Sequence, residues 1–232
     1  MLLLAAGRGA RFGGPVPKAF LRLRGRPLLL HAAERLCAAV EPGTGCELVL
    51  VVHSHDREPH LAPHLPELQA ITDTRCRLHI VDGGSSRQES MQRGLAAASA
   101  DVELVLVHDA ARALLPIAAT RACIAAAART GAALLAIPAT DTLKQVRDRR
   151  VEATLDRSSI WQAQTPQVVR RDLLLRALAA AGADGFEGTD DVSLVEHLGL
   201  PVEVVPGSPG NLKITHRDDL PLAEALFDRC QP

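Results

Sequence analysis

Residues 78–98 read LHIVDGGSSRQESMQRGLAAA, and this stretch decides the fold. The apolar run 78–81 stops at Asp82 and a Gly-Gly pair, as a buried strand does on entering a turn. Ser86-Arg87-Gln88-Glu89 then spells a capping box, and Met91, Leu95 and Ala98 fall on one face of the helix that follows. The unit is strand, glycine turn, helix.

The same unit repeats outward in both directions. Short Leu- and Val-rich runs recur at 2–5, 48–53, 104–107, 134–137 and 202–205, with Ala-rich stretches of helical length between most of them. Strands that are apolar on both sides are buried on both faces, so the chain is predicted to be α/β, a single Rossmann-like domain over residues 1–232. It has a mostly parallel central sheet with helices on both faces. Residues 141–169 break the rhythm: DTLKQV, the polar turn RDRR, VEATLDR and IWQAQTPQVV leave no space for a helix. They predict a protruding β-arm at about 141–165, of the kind that meets another subunit.

Composition excludes several classes. A formal net charge of -1, from 26 basic and 27 acidic residues, gives no bulk attraction to nucleic acid or to an anionic membrane. Only 2% of the chain is aromatic, so a core must be built from Leu, Val, Ile and Ala. The five cysteines form no CxxC pair, and the opening apolar run is too short for a signal-peptide core. Reduced thiols, a soluble chain and a cytoplasmic location are expected.

The opening LLLAAGRGARFGGPVPKAF, residues 2–20, runs an apolar stretch into a basic, glycine-rich loop. GxGxxG fails at Phe12, and the P-loop pattern fails because Lys18 follows Pro17. Gly7 and Gly9 would let backbone N–H groups approach an anion, while Arg11 and Lys18 add two charges, which suits a triphosphate. A strand with a loose basic turn explains the same residues. The other strand ends weigh against that plainer reading, because VDGGSSRQES, VHDAAR and IPATDTLK are all polar where an apolar run stops, and ligands collect beyond the carboxyl ends of such strands.

Taken together, LAAGRGARFGGPVPKAF, GGSSRQESMQRGL, VHDAARALLP, DTLKQV, LDRSSIWQAQTPQ, GTDDVSLVEHLG and GNLKITHRDDL cover almost the whole chain in order. In this set the sequence resembles the 2-C-methyl-D-erythritol 4-phosphate cytidylyltransferases. The resemblance implies transfer of CMP from CTP to 2-C-methyl-D-erythritol 4-phosphate with release of pyrophosphate, in non-mevalonate isoprenoid precursor synthesis, with Mg²⁺ as cofactor. It implies catalytic roles for Arg11, Lys18, Arg157 and Lys213. CTP would be held by Ala5, Ala6, Gly7, Gly9, Gly83, Gly84, Ser85, Ser90 and Ala110. The sugar phosphate would meet Asp109, Arg112, Thr142, Thr165 and Thr189, with Asp109 also able to face the metal. Arg157 would reach the site of a partner subunit, making a homodimer through the β-arm. No nucleophilic Ser or Cys and no general base are expected, because a sugar phosphate is already ionised and needs charge stabilisation and alignment.

Local chemistry offers plainer readings beside these. Asp109 could cap a turn, and Thr189 reads first as a helix N-cap with Gly199 closing that helix. Arg157 and Lys144 on an arm are by default solvated charges. Lys213, between Leu212 and Ile214 in an apparent strand, calls for an anionic partner, such as a phosphate. His53, His55, His60 and His64 read as loop histidines lacking metal-ligand spacing, and Trp161 as a packing residue of the arm. The chain departs from the resembled family at Leu4 and Ala113, where proline is usual, at Ser85, often acidic, and in a start several residues late. A short, frayed first strand with weaker CTP binding is the expected consequence. Ribitol-5-phosphate cytidylyltransferase is the nearest alternative, disfavoured by HDAAR and DTLK, and a non-catalytic nucleotide-binding dimer is the other.

Overall fold

A computed structural model describes residues 1–7, 14, 16–41, 43–73 and 75–230. In chain order its elements are β1 (Leu2–Leu4), β2 (Arg22–Leu23), β3 (Arg26–Pro27), α1 (Leu28–Ala39), β4 (Cys46–Val52), α2 (Leu65–Thr72), β5 (Cys76–Asp82), α3 (Arg87–Ala97) and β6 (Leu104–Asp109). There follow α4 (Ile117–Thr130), β7 (Ala132–Pro138), β8 (Lys144–Arg147), β9 (Arg150–Thr154), β10 (Trp161–Arg170), α5 (Arg171–Asp184), α6 (Ser193–His197), β11 (Glu203–Pro206) and α7 (Asp219–Phe227).

Seven strands form one sheet in the order β11-β7-β10-β6-β1-β4-β5. Six run the same way, and β10 opposes both of its neighbours, β6 and β7. Period-two alternation sends successive residues of each strand to opposite faces. Leu48, Leu50 and Val52 of β4 join Leu3 in a layer with Leu29 and Leu36 of α1 and Ala126 and Ala127 of α4. Val49 and Val51 join Leu2 in the other layer, with Met91 and Leu95 of α3 and Leu174 and Leu178 of α5. This two-sided burial is why the strands read as continuous apolar runs. On the second face, a Cβ on Gly94 would come within 2.8 Å of a Val51 methyl, so the glycine lets α3 lie close on the sheet.

Three expectations need correcting. The first strand is not frayed: Leu2–Leu4 pairs with β4 on one side and β6 on the other, and Leu3 is fully buried. The arm is shorter than 141–165, because the protruding hairpin is β8 with β9, and residues from Trp161 onward already belong to β10 in the middle of the main sheet. Trp161 therefore pairs with Pro138 at the sheet's end. Lys213 lies in no strand; residues 212–215 form an irregular segment beside α7. The hairpin turns through Asp148 and Arg149, both at positive φ as in a type I′ turn, and every residue of its two strands is exposed.

Candidate active site

The carboxyl ends of β6, β1, β4 and β5 are stitched together in that order by backbone hydrogen bonds. Ala5 N–H donates to the Val51 carbonyl at 2.7 Å, Gly83 N–H to Val52 at 2.9 Å, and Ala110 N–H to Leu4 at 3.0 Å. A Cβ on Gly83 would sit 2.2 Å from the Ala6 methyl, so only glycine allows the two loops to touch. Ala5, Ala6, Gly7, Gly83, Gly84 and Ala110 thus share one edge, and the buried Ala5 and Ala110 can offer a ligand only backbone. Gly9 and Arg11 lie outside the described residues. Lys18 opens the 3-10 turn Lys18–Phe20 and lies near Asp219. That carboxylate accepts from the Thr215 and His216 amides, and these bonds with the nearby Lys18 hold it below the usual range despite partial burial.

The Gly83–Ser85 loop is braced by its own helix. The Ser86 hydroxyl accepts from Glu89 N–H at 3.1 Å, as a capping residue should. The reciprocal half of the expected capping box is absent. Glu89 accepts instead from the Ser85 amide at 2.6 Å and the Ser85 hydroxyl at 2.7 Å, and pairs with Arg93 at 2.6 Å. Arg93 in turn donates to the Gly83 carbonyl at 2.8 Å. Ser90 accepts from Gly84 N–H at 3.0 Å and donates to the Ser86 carbonyl at 2.8 Å, so its hydroxyl holds the loop's shape.

Five charged side chains meet at the end of β6. Lys213 Nζ lies 2.6 Å from one Asp109 oxygen, and Arg87 Nη2 is 3.3 Å from the other. The same Arg87 grips the buried Asp191 through both nitrogens, at 2.6 and 2.8 Å. Burial opposes charge on Asp109, but Arg87 and Lys213 outweigh it and hold the carboxyl well below its usual range. Burial dominates at Asp191 and pushes its carboxyl up. Arg112 donates to the Asn211 carbonyl at 2.7 Å and toward that of Ala163 at 3.4 Å, while its buried Nε has no partner among the described residues. One guanidinium donor is thus unspent, although its nitrogen is closed to solvent.

Thr165 is placed differently from a residue that only meets substrate. His108 Nε2 lies 3.1 Å from the Arg112 carbonyl, which can only accept, so Nε2 carries the proton. Nδ1 then accepts from the Thr165 hydroxyl at 2.9 Å, and the Thr165 oxygen accepts from Asp109 N–H at 3.1 Å. Burial lowers the His108 pKa to about 4, keeping the ring neutral in this role. The chain of bonds sets the backbone on both sides of Asp109. Asn211, fully buried, donates to the Thr165 carbonyl at 2.8 Å and to Gln164 Oε1 at 3.2 Å, tying β10 to the segment that carries Lys213.

Thr189 lies two residues before Asp191 of this cluster, whereas Thr142 and Arg157 lie at the arm. Thr142 and Thr189 are exposed, and Arg157 donates to the Thr140 carbonyl at the root of its own arm. Thr189 is not the helix cap. Asp190 accepts from Ser193 N–H at 3.0 Å and does that work, while Gly199, at φ +70°, follows the helix end as expected. Arg87, Asp191, Glu89 and Arg93 do not read as site residues in the sequence, because Arg87 and Glu89 are explained as a capping box, Arg93 as a helix-surface charge and Asp191 as the approach to a helix. The usable signal was Asp191, an acid directly before the apolar run VSLV, where burial demands a cationic partner.

Mg²⁺ fits this donor set poorly as a resident ion. Both Asp109 oxygens face cations, and among the described residues no group of three or more His, Cys, Asp or Glu side chains could hold a metal. Protein carboxylates therefore provide no cage at this site.

The comparisons with known proteins agree with the geometry. The family model described as 2-C-methyl-D-erythritol 4-phosphate cytidylyltransferase (IspD) matches residues 1–229. Relatives bearing that name in Solibacter usitatus and Symbiobacterium thermophilum are each 43% identical, over 98% of this chain and 94% and 92% of theirs. Among solved structures, 2-C-methyl-D-erythritol 4-phosphate cytidylyltransferase from Thermus thermophilus superposes with a TM-score of 0.78 at 32% identity, covering 98% of both chains. The 4-diphosphocytidyl-2C-methyl-D-erythritol synthase from Anaerococcus prevotii gives 0.81 at 26% identity, covering 98% of this chain and 97% of that one. With its motifs in family order and its fold shared from end to end, the chain belongs to the 2-C-methyl-D-erythritol 4-phosphate cytidylyltransferase family.

Proposed function

We propose that this chain joins CTP to 2-C-methyl-D-erythritol 4-phosphate, giving 4-diphosphocytidyl-2-C-methyl-D-erythritol and pyrophosphate in isoprenoid precursor synthesis. The observation that carries the reading is the Lys213–Asp109–Arg87 cluster at the strand ends, at the same end of the sheet as the close-packed Gly83–Gly84 turn. One edge offers the exposed backbone of Gly7 and the Lys18 cation for a nucleotide; the other offers a carboxylate and cations for a phosphorylated polyol.

The sugar phosphate attacks the α-phosphorus in line, and pyrophosphate leaves. Arg11 and Lys18 offset the charge that gathers on the α-phosphate, while the backbone of Ala5, Ala6, Gly7 and Gly9 lines the phosphates and cytosine. Gly83, Gly84, Ser85, Ser90 and Ala110 form the cytidine side. Lys213 and Arg112 align the attacking phosphate, and Asp109, kept ionised by its neighbours, accepts from the polyol hydroxyls. Thr142, Thr165 and Thr189 complete that side, Thr165 chiefly through its hold on Asp109. Mg²⁺ would be the counter-ion of the CTP triphosphate, since the described residues supply no carboxylate cage for it. Residues 1–232 act as one nucleotidyltransferase domain in the cytoplasm, and two copies pair through the arm, each lending Arg157 to the other's acceptor site.

The test is pyrophosphate release from CTP with Mg²⁺ and one sugar phosphate at a time. Release is expected only with 2-C-methyl-D-erythritol 4-phosphate. Equal turnover with ribitol 5-phosphate would sink the substrate assignment, and CTP binding without turnover on either would indicate a non-catalytic dimer.

A further inference from the structure

At the end of the sheet opposite the proposed site, three thiols that the transfer chemistry does not use converge. Cys37 lies in the last turns of α1, and Cys76 and Cys46 are the first residues of β5 and β4, directly opposite each other in the strand register. Cys76 Sγ is 3.6 Å from Cys37 Sγ. Cys46 and Cys76 line an open groove of about 1480 Å³, floored by the starts of β1, β5 and β6 and rimmed by Glu41, Arg75 and Arg121. Cys37 sits just behind Cys76, almost wholly buried.

We propose that Cys37 and Cys76 form a dithiol site oxidised by a small peroxide, in which Cys76 resolves oxidised Cys37 to a disulfide tying α1 to the edge strand β5. Single buried cysteines are ordinary core residues, but these two touch each other at the wall of a groove that solvent reaches. The Cys76 S–H points at Cys37 and favours its thiolate, holding that thiol below its usual range against the effect of burial, with Arg75 adding a positive charge nearby. The same contact raises the Cys76 thiol to about 12, so Cys37 is the group that ionises first. The Cys37 thiolate attacks one oxygen of hydrogen peroxide. The O–O bond breaks, hydroxide leaves and is protonated to water, and Cys37 becomes a sulfenic acid. Cys76 sulfur then attacks the Cys37 sulfur, the S–O bond breaks and a second water leaves. Two thiols and one peroxide give one disulfide and two waters. The sulfurs must close from 3.6 Å to about 2.05 Å.

The full chain treated with hydrogen peroxide is expected to lose two titratable thiols and about 2 Da of mass, with the peptides bearing Cys37 and Cys76 joined and dithiothreitol reversing both changes. Cys76→Ser should halt the reaction at a Cys37 sulfenic acid that dimedone captures, and Cys46→Ser should leave the disulfide intact. A Cys46–Cys76 link in the peptide map, sulfinic or sulfonic acid without a disulfide, or untouched thiols would overturn the assignment. The map of the unmodified sequence decides the matter even if Cys76→Ser fails to fold.

Discussion

The end of β6 and the β8–β9 hairpin both carry charged residues, but they hold them in opposite ways. Asp109, Asp191 and Arg87 are locked together, the two carboxylates buried and the Arg87 side chain 31% exposed, and the bidentate Arg87–Asp191 contact fixes geometry as well as charge. The hairpin pairs only with itself, exposes Val146 and Val151, and offers the solvated Arg147–Glu152 pair. A charge in the body is positioned by the fold, whereas a charge on the arm is positioned by whatever the arm packs against. Damage to the body should therefore appear in any preparation of the protein, and damage to the arm only in its assembly and turnover.

The largest effect should come from Asp109→Ala, which leaves Arg87 and Lys213 facing each other without their shared carboxylate. Pyrophosphate release should fall by about a thousandfold in kcat/KM, and stability by about 3 kcal/mol, read by denaturant unfolding. Arg157→Ala should cost about a hundredfold in turnover with an unchanged melting temperature. Mixed with Lys18→Ala, itself inactive, it should recover about a quarter of full activity, because half the dimers are mixed and each has one intact site. No recovery in verified heterodimers would erase the contrast between arm and body.

Next in size is a pH effect from the body. His108 has its folded pKa lowered to about 4, so between about 6.5 and 4 the unfolded chain binds a proton that the folded chain does not. Its contribution of about 3 kcal/mol is present above pH 6.5 and is lost as pH falls toward 4. Asp109, also held down, adds a further loss only as pH falls below the ordinary carboxylate range. Melting curves of a His108→Gln variant should lose the first of these slopes. Thr165→Val leaves the Asp109 amide and His108 Nδ1 unpaired and should cost about 2 kcal/mol, while Thr165→Ser restores both. If Ser and Val behave alike, the hydroxyl is not what sets Asp109. Smallest is Arg147→Ala on the hairpin, expected to change stability by less than about 1 kcal/mol.

Much of this was readable before any coordinates. The strands declared themselves because burial on both faces leaves no polar alternation to confuse with a helix, and HDAAR and GGSSRQES stood where ligand-facing strand ends should stand. β10 was legible as extended but not as central, since an antiparallel strand inserted between parallel neighbours leaves no local mark. Lys213 showed its need for an anion, yet the anion that answers it is Asp109, over a hundred residues away in sequence. Arg87 was hidden because one segment serves as helix start and as site, and local rules explain it fully as the former. Arg11 and Gly9 were named from sequence and lie outside the described residues.

The opposed direction of β10 also bears on how the chain comes to be made. β6 and β7 do not pair with each other; β10 joins them, and it follows both in the sequence. During synthesis β1, β4, β5 and β6 can associate early, but β7 stays separate, and both facing edges remain open until residue 170 has left the ribosome. Such non-local closure is slow and leaves unpaired edges exposed to other chains. A nascent chain stalled within the arm would present a four-stranded sheet with an open β6 edge and a lone β7, making that interval the step at which chaperone protection matters most.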